Sequence, residues 1–279
     1  TSPQAPEPRP ATGSMKTYTV IIPHFGDLFW ISHTLRQIQA YGNSQIISMI
    51  VIDQDRDIAQ SLGDLPGTPT IVSFPIHEEQ VAAIGHDHPH SLNRAVQELS
   101  FESSHVIILD SDCFPVDPSW LVQVEKGEGA FLAMDPQKWG LTHPCFMVVP
   151  VDELRFVDFE QGLDSVGIDT GRLVGLQLAE AGRRPTILNP TAPGWPKGHL
   201  YLAGSVYHHG SGSFLWSADD RVRRQARKRE QLIFQRAISE QRLVLRCGER
   251  LILGWWRFLS RVERIAPARS MSWVPLSRK

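Results

Sequence analysis

Apolar residues arrive in blocks along this chain, and the blocks alternate in period. TYTVIIP (17–23), IISMIVID (46–53), PTIVSFP (69–75) and HVIILD (105–110) are nearly continuous apolar runs of strand length. With no polar face kept, they predict buried strands. Between them, DLFWISHTLRQIQAYG (27–42) places Leu28, Ile31, Leu35 and Ile38 at helical spacing, with Gly42 just past the end. SLNRAVQELS (91–100) predicts a second helix, entered at Ser91. Strands alternating with helices predict an α/β fold, a mostly parallel central sheet flanked by helices on both faces. Ligands of such sheets bind beyond the carboxyl ends of the strands. The polar groups there are Asp53 and Asp55 after the second strand, and Asp110 and Asp112 after the fourth.

The middle of the chain changes character. GAFLAMD (129–135) and PCFMVVP (144–150) predict further strands. Residues 156–188 predict a loop, a helix from about Thr170 to Ala181, and a strand. HLYLAGSVYHHGSGSF (199–214) reads as a strand closing in a Gly/Ser/His loop, and 219–265 as one or two basic helices. Residues 1–14, rich in Pro and small polar residues, predict a disordered leader before Met15.

Charge adds a division that periodicity does not show. Residues 221–279 carry 16 Lys and Arg against 4 Asp and Glu, although the whole chain has a net charge of −2. A basic extension on an acidic body suggests an anionic contact: a membrane surface, a nucleic acid, or the body itself. No base-reading motif accompanies the charge, so no nucleic acid is expected. LILGWWRFLSRVERI (251–265) mixes Trp and Phe with Arg, which suits an interfacial helix on anionic lipid or an apolar stripe packed on the body. No run approaches the length of a membrane span. Cys113, Cys145 and Cys247 have no zinc-like spacing and cannot all pair. A cytoplasmic location is therefore expected, peripheral to a membrane where the basic extension meets lipid.

Asp110 and Asp112 carry the candidate chemistry. Two carboxylates two residues apart at a strand end can converge on one hard cation, and Mg²⁺ and Mn²⁺ take oxygen ligands from carboxylates and phosphates. The alternative is a polar turn in which Asp110 caps the helix that DPSW begins.

The order of motifs resembles the GT-A glycosyltransferases of the family 2 type, over roughly residues 17–215. The first strand ends in Ile22-Pro23-His24-Phe25, the second in Val51-Ile52-Asp53-Gln54, and Ser91-Leu92-Asn93-Arg94-Ala95 partly matches a helix core of that family. The fourth strand ends in Asp110-Ser111-Asp112. Gln54 stands where the family has a second Asp. The resemblance implies a Rossmann-like GT-A fold, with a nucleotide-sugar half (15–115), an acceptor half (116–218) and a basic helical extension (219–279). It implies an inverting, metal-dependent sugar transfer from a nucleotide-diphospho-sugar to a glycan or lipid-linked acceptor. Pro23 and Asp53 would meet the nucleoside, with Asn93, Asp110 and Ser111 also on the donor side. Asp112 would hold Mn²⁺ or Mg²⁺.

Inverting transfer needs a base for the acceptor hydroxyl. The resemblance points to Asp169 before the predicted helix, where it could equally act as an N-cap, with Asp164 as the fallback. A late His-x-Gly motif points to His208 as a further metal ligand, with His209 as its alternative; a solvated Gly/Ser loop is the plain reading. GHDHPH (85–90) reads as a loop near the donor phosphates rather than a zinc site. Trp139 and Trp195 would stack on sugar or pack their loops. Competing classes are a nucleotidyltransferase, a haloacid-dehalogenase-like phosphatase and a non-catalytic sugar-binding module. The phosphatase places its Asp pair near the N-terminus, the nucleotidyltransferase needs a Gly-rich basic opening that IIPHFGD lacks, and the module needs neither metal pair nor base.

Overall fold

The computed structural model describes residues 15–25, 28–54, 66–74, 88–135, 141–161, 170–193, 198–210, 221–240 and 247–265. Strand β1 (Tyr18–His24) is buried throughout. It lies between two parallel neighbours, β2 (Ile46–Asp53) and β4 (His105–Leu109), with β3 (Thr70–Ser73) parallel to β2. With both faces covered, β1, β4 and the second half of β2 have no solvent side on which to alternate, whereas β3 at the sheet edge is exposed or half-buried, against the expected buried strand. Beyond β4 the sheet continues through β7 (Thr142–Pro150), which runs antiparallel to β4 and to β6 (Phe131–Met134), and ends at β8 (Thr186–Leu188), parallel to β6. The order is β3-β2-β1-β4-β7-β6-β8. This is the expected α/β architecture, a mostly parallel sheet flanked by helices.

Helix α1 (Leu28–Tyr41) buries Trp30, Ile31, Thr34, Leu35 and Ile38 on one face. It ends where Gly42 N–H reaches the Ile38 carbonyl at 2.6 Å. A Cβ on Gly42 would lie 2.5 Å from that oxygen, so glycine is required at the exit.

Helix α2 runs His88–Glu98, three residues earlier than the expected entry at Ser91. Proline is tolerated in a first helical turn, where its missing N–H has no partner to lose. Pro89 therefore opens the helix, and His88 and His90 belong to it rather than to a loop. Helix α3 (Trp120–Glu125) has Ser119 at its N-cap, so Asp110 does not cap it. Helix α4 covers only Val174–Glu180, shorter than the expected 170–181. Gly171 has φ +70°, which a helix does not accept, and Leu173 becomes the N-cap.

The segment read as one strand from 199 is a hairpin. Strands β10 (His199–Tyr201) and β11 (Val206–His208) pair antiparallel. They are joined by a turn whose Leu202, Ala203 and Gly204 have φ of 50°, 55° and 89°. Three left-handed residues in a row reverse the chain. With β5 (Cys113–Pro115) and β9 (Ala192–Pro193) they make a second sheet, β5-β11-β10-β9.

The basic region forms two helices, α5 (Arg221–Ser239) and α6 (Cys247–Ile265). Phe234, Ala237 and Ile238 of α5 are buried, and Ile238 shares a core cluster with Trp30, Phe114 and Tyr207. Helix α6 buries Leu253 but exposes Leu251, Ile252, Trp255 and Phe258. Among the described residues, no helix is long and apolar enough to cross a membrane.

Candidate active site

The strand order reverses direction at β1. From it, β2 and β3 extend one way and β4 the other. The crevice outside the carboxyl ends of β1 and β4 is where such a sheet opens to ligands. Asp110 and Asp112 follow β4 directly, and β5 begins one residue later.

Main-chain bonds fix this turn tightly. Asp110 N–H donates to the Cys145 carbonyl at 3.0 Å, and Cys113 N–H to the Asp110 carbonyl at 2.9 Å. The Thr34 hydroxyl donates to the Ser111 carbonyl at 2.7 Å, pinning the turn to α1. His209 N–H donates to the Asp112 carbonyl at 3.0 Å, which ties β11 to it. The hairpin approaches so closely that a Cβ on Gly198 would sit 2.1 Å from the His208 carbonyl oxygen. Its φ of +85° also excludes other residues.

This framework brings three side chains together across long sequence separations. His208 Nε2 lies 3.5 Å from Asp110 Oδ2 and 3.6 Å from Asp112 Oδ1. Ligand atoms of all three lie within 4.8 Å of one another. Asp112 and His208 are buried. Asp110 Oδ1 is also buried and has no hydrogen-bond partner. Burial pushes the Asp110 carboxyl up to about 7, against the pull of His208 and His143. Burial acts to lower the His208 ring, but Cys145 and Asp112 beside it outweigh this and raise it to about 9. A buried carboxylate, a half-buried one with a buried oxygen that no hydrogen bond reaches, and a buried imidazole fit a hard divalent cation.

His208 and His209 differ sharply in company. His209 stacks on Trp30 at 4.4 Å between ring centroids, meets Phe234 edge-on, and its Nδ1 lies 3.0 Å from the Tyr207 hydroxyl. It belongs to the packing that seats α5.

The other expected donor residues have separate settings. Pro23 is buried in β1, in register with Ile52, and Asp53 ends β2 fully buried. Gln54 donates from Nε2 to Ser91 Oγ at 2.8 Å, joining the end of β2 to α2. Asn93 is engaged elsewhere. Its amide donates to Asp158 and Glu160, both at 2.9 Å, and accepts from Phe159 N–H at 3.0 Å. Asp55, Trp139, Asp164, Asp169, Trp195 and residues 211–213 lie outside the described residues.

Three further residues border the pair: His88, from the 85–90 stretch expected near the donor phosphates, and His143 and Cys145, which sequence reasoning did not place here. His88 Nε2 lies 3.6 Å from Asp110 Oδ1. His143 and Cys145 come from β7, and the His143 ring centroid is 5.1 Å from that of His208. Their signal was the alternate spacing in THPC, which puts both on one face of a strand. Nothing in it pointed across to β11.

No protein-family model matches the chain, and a search of curated proteins finds no match. Solved structures similar to it include a mannosyltransferase from Pyrobaculum calidifontis in complex with GDP-Man and Mn²⁺. That pair is 16% identical, covers 92% of this chain and 77% of the other, and has a TM-score of 0.47. Another is glucosyl-3-phosphoglycerate synthase from Mycobacterium tuberculosis in complex with Mn²⁺, UDP and phosphoglyceric acid. It is 16% identical over 64% of this chain and 69% of its own, with a TM-score of 0.44. A third is 4-diphosphocytidyl-2C-methyl-D-erythritol synthase from Anaerococcus prevotii, 12% identical over 62% and 89% of the two chains, with a TM-score of 0.43.

Proposed function

We propose that this chain is a metal-dependent inverting glycosyltransferase that moves a sugar from a nucleotide-diphospho-sugar to a hydroxyl of a glycan or lipid-linked acceptor. The observation that carries this reading is the convergence of Asp110, Asp112 and His208 where the sheet reverses strand order. Asp112 and His208 would hold Mn²⁺ or Mg²⁺, and Asp110 would face the ribose or the sugar. A bound divalent ion supplies positive charge that stabilises the departing diphosphate. Asp53, buried at the neighbouring strand end, would accept hydrogen bonds from the nucleoside beside Pro23. Asp169, with Asp164 as the alternative, would take the acceptor proton.

The exposed face of α6 supports a peripheral contact with an anionic lipid surface, which would bring a lipid-linked acceptor to the site. Leu251, Ile252, Trp255 and Phe258 are exposed on a helix that also exposes Arg250. Free thiols at Cys113, Cys145 and Cys247 support a reducing compartment such as the cytoplasm.

Thermal shift with UDP-, GDP- and dTDP-sugars tests the donor assignment. One of them should raise the melting temperature with Mn²⁺ present and not without it. No shift with any nucleotide sugar would overturn the reading. Asp169→Asn should keep the shift and lose transfer; full turnover would remove it as the base.

A further inference from the structure

His208 stands between two unlike sets of donors. On one side are the carboxylates of Asp110 and Asp112. On the other are the His143 imidazole and the Cys145 thiol, whose ligand atoms also lie within 4.8 Å of each other and of the His208 ring nitrogen. The first set is rich in oxygen and suits Mg²⁺ or Mn²⁺. The second offers two nitrogens and a sulfur, a donor set that such hard ions disfavour and that Zn²⁺ and Co²⁺ prefer.

We propose that His143, Cys145 and His208 form a separate site for Zn²⁺ or a similar thiophilic divalent ion, and that an ion there competes with the carboxylate pair for His208. The competition rests on the reading of His208 as a ligand of the catalytic metal; the site itself does not.

Strand geometry builds this second set. His143 and Cys145 are two residues apart in β7 and share a face. His143 Nδ1 accepts the Cys145 N–H at 3.1 Å, which fixes the ring over the thiol's own residue. Strand β11 delivers His208 by pairing with β5, where it is in register with Cys113. The Asp110 N–H bond to the Cys145 carbonyl then locks the two donor sets together. Cys145 and His208 are buried, while His143 is half-buried and gives an ion a way in. Three protein ligands leave a fourth tetrahedral position for water, the arrangement of an exchangeable zinc site. On binding, Cys145 coordinates as the thiolate and His143 and His208 as neutral imidazoles, so whatever protons the thiol and the rings hold pass to solvent, and charge and protons balance.

His208 is common to both sets, and two dications drawn to groups this close repel each other. An ion held by the thiol therefore draws on His208 and opposes a second cation, and so weakens the hard-cation site without touching its carboxylates. Zinc would act as an inhibitor of the metal-dependent step.

The test uses full-length protein carrying Cys247→Ser, which removes the exposed thiol, and titrates it with CoCl₂ alone. A thiolate-to-cobalt charge-transfer band should appear. It should vanish in Cys145→Ser and need about tenfold or more Co²⁺ in His143→Gln. It should persist in Asp112→Asn. The His143 variant alters a half-buried side chain, and so keeps the test open should the buried Cys145 variant fail to fold. No band, a band that survives loss of Cys145, or a band lost with Asp112 but unchanged in His143→Gln would overturn the site. In a second arm, ZnCl₂ should raise the MnCl₂ concentration needed for the thermal shift in the parent and not in His143→Gln. Equal inhibition of both would overturn the competition. Because the cobalt band needs no nucleotide sugar, it can follow this pattern even if every donor fails to bind, which separates the two readings.

Discussion

At the carboxyl edge of the sheet, Asp53, Asp112 and His208 are buried polar groups, whereas α6 exposes Leu251, Ile252, Trp255 and Phe258. Each region goes against the ordinary division between core and surface, in opposite directions. Burial of a carboxylate costs free energy unless a counter-charge meets it. Exposure of four large apolar side chains on one helix costs it unless a surface covers them. Helix α5 differs from both cases in packing Phe234, Ala237 and Ile238 on the body. The basic extension is thus two unlike helices. One completes the core around His209, and the other is left with an apolar face to offer.

The comparison breaks most severely at Asp112. If Asp112 holds the metal as proposed, Asp112→Asn should lower the proposed Mn²⁺-dependent transfer by on the order of a thousandfold. Calorimetry with nucleotide sugar and Mn²⁺ checks this, and unchanged donor binding would return the turn to a structural role. Next comes Phe234→Ala, expected to destabilise the protein by about 3 kcal/mol through the cavity left against His209. Denaturant unfolding measures that loss. A negligible change would mean that α5 is not part of the core.

On the opposite side, Trp255→Ser with Phe258→Ser should weaken binding to anionic vesicles about tenfold and leave the melting temperature unchanged. A fall in melting temperature with vesicle binding intact would make the face a packing surface instead. The smallest effect is expected from pH. Burial, helped by Arg36, lowers the His33 pKa from 6.5 to about 4. The folded state then binds fewer protons than the unfolded one. The stability this brings is complete above the ordinary histidine range and is lost as pH falls through 6.5 toward 4. Unscreened, such a shift would remove about 2 kcal/mol by pH 5, and solvent reaching the half-buried ring reduces this to about 1 kcal/mol. His33→Gln should flatten that slope, measured as melting temperature against pH.

Periodicity read the parallel half of the sheet well. Strands β1, β2 and β4 carry apolar residues on both faces, and that pattern is local, while β3 proved to be a short edge strand with Thr70 and Ser73 exposed. Helix limits were harder, because single residues decided them: Pro89 opened α2 early, and Gly171 with its left-handed φ held α4 back to Val174. The hairpin at 199–208 was invisible because its reversal uses Leu202 and Ala203 in a conformation those residue types do not advertise. In the site, the Asp pair was legible as a spacing at a strand end. His143 and Cys145 were not, because the two share a strand while their partner on β11 is more than sixty positions away.

By itself, then, the sequence determined the apolar strands, the helices that follow the first and third of them, and the carboxylates placed at a strand end. These depend on periods of two and 3.6 residues within one element. Tertiary structure alone decided that His208 turns toward the carboxylates while His209 turns into the aromatic core beside Trp30. It also decided that α5 is buried and α6 is not. Neighbouring histidines and neighbouring basic helices look alike along a chain. They are told apart only by which face of an element another part of the fold comes to cover.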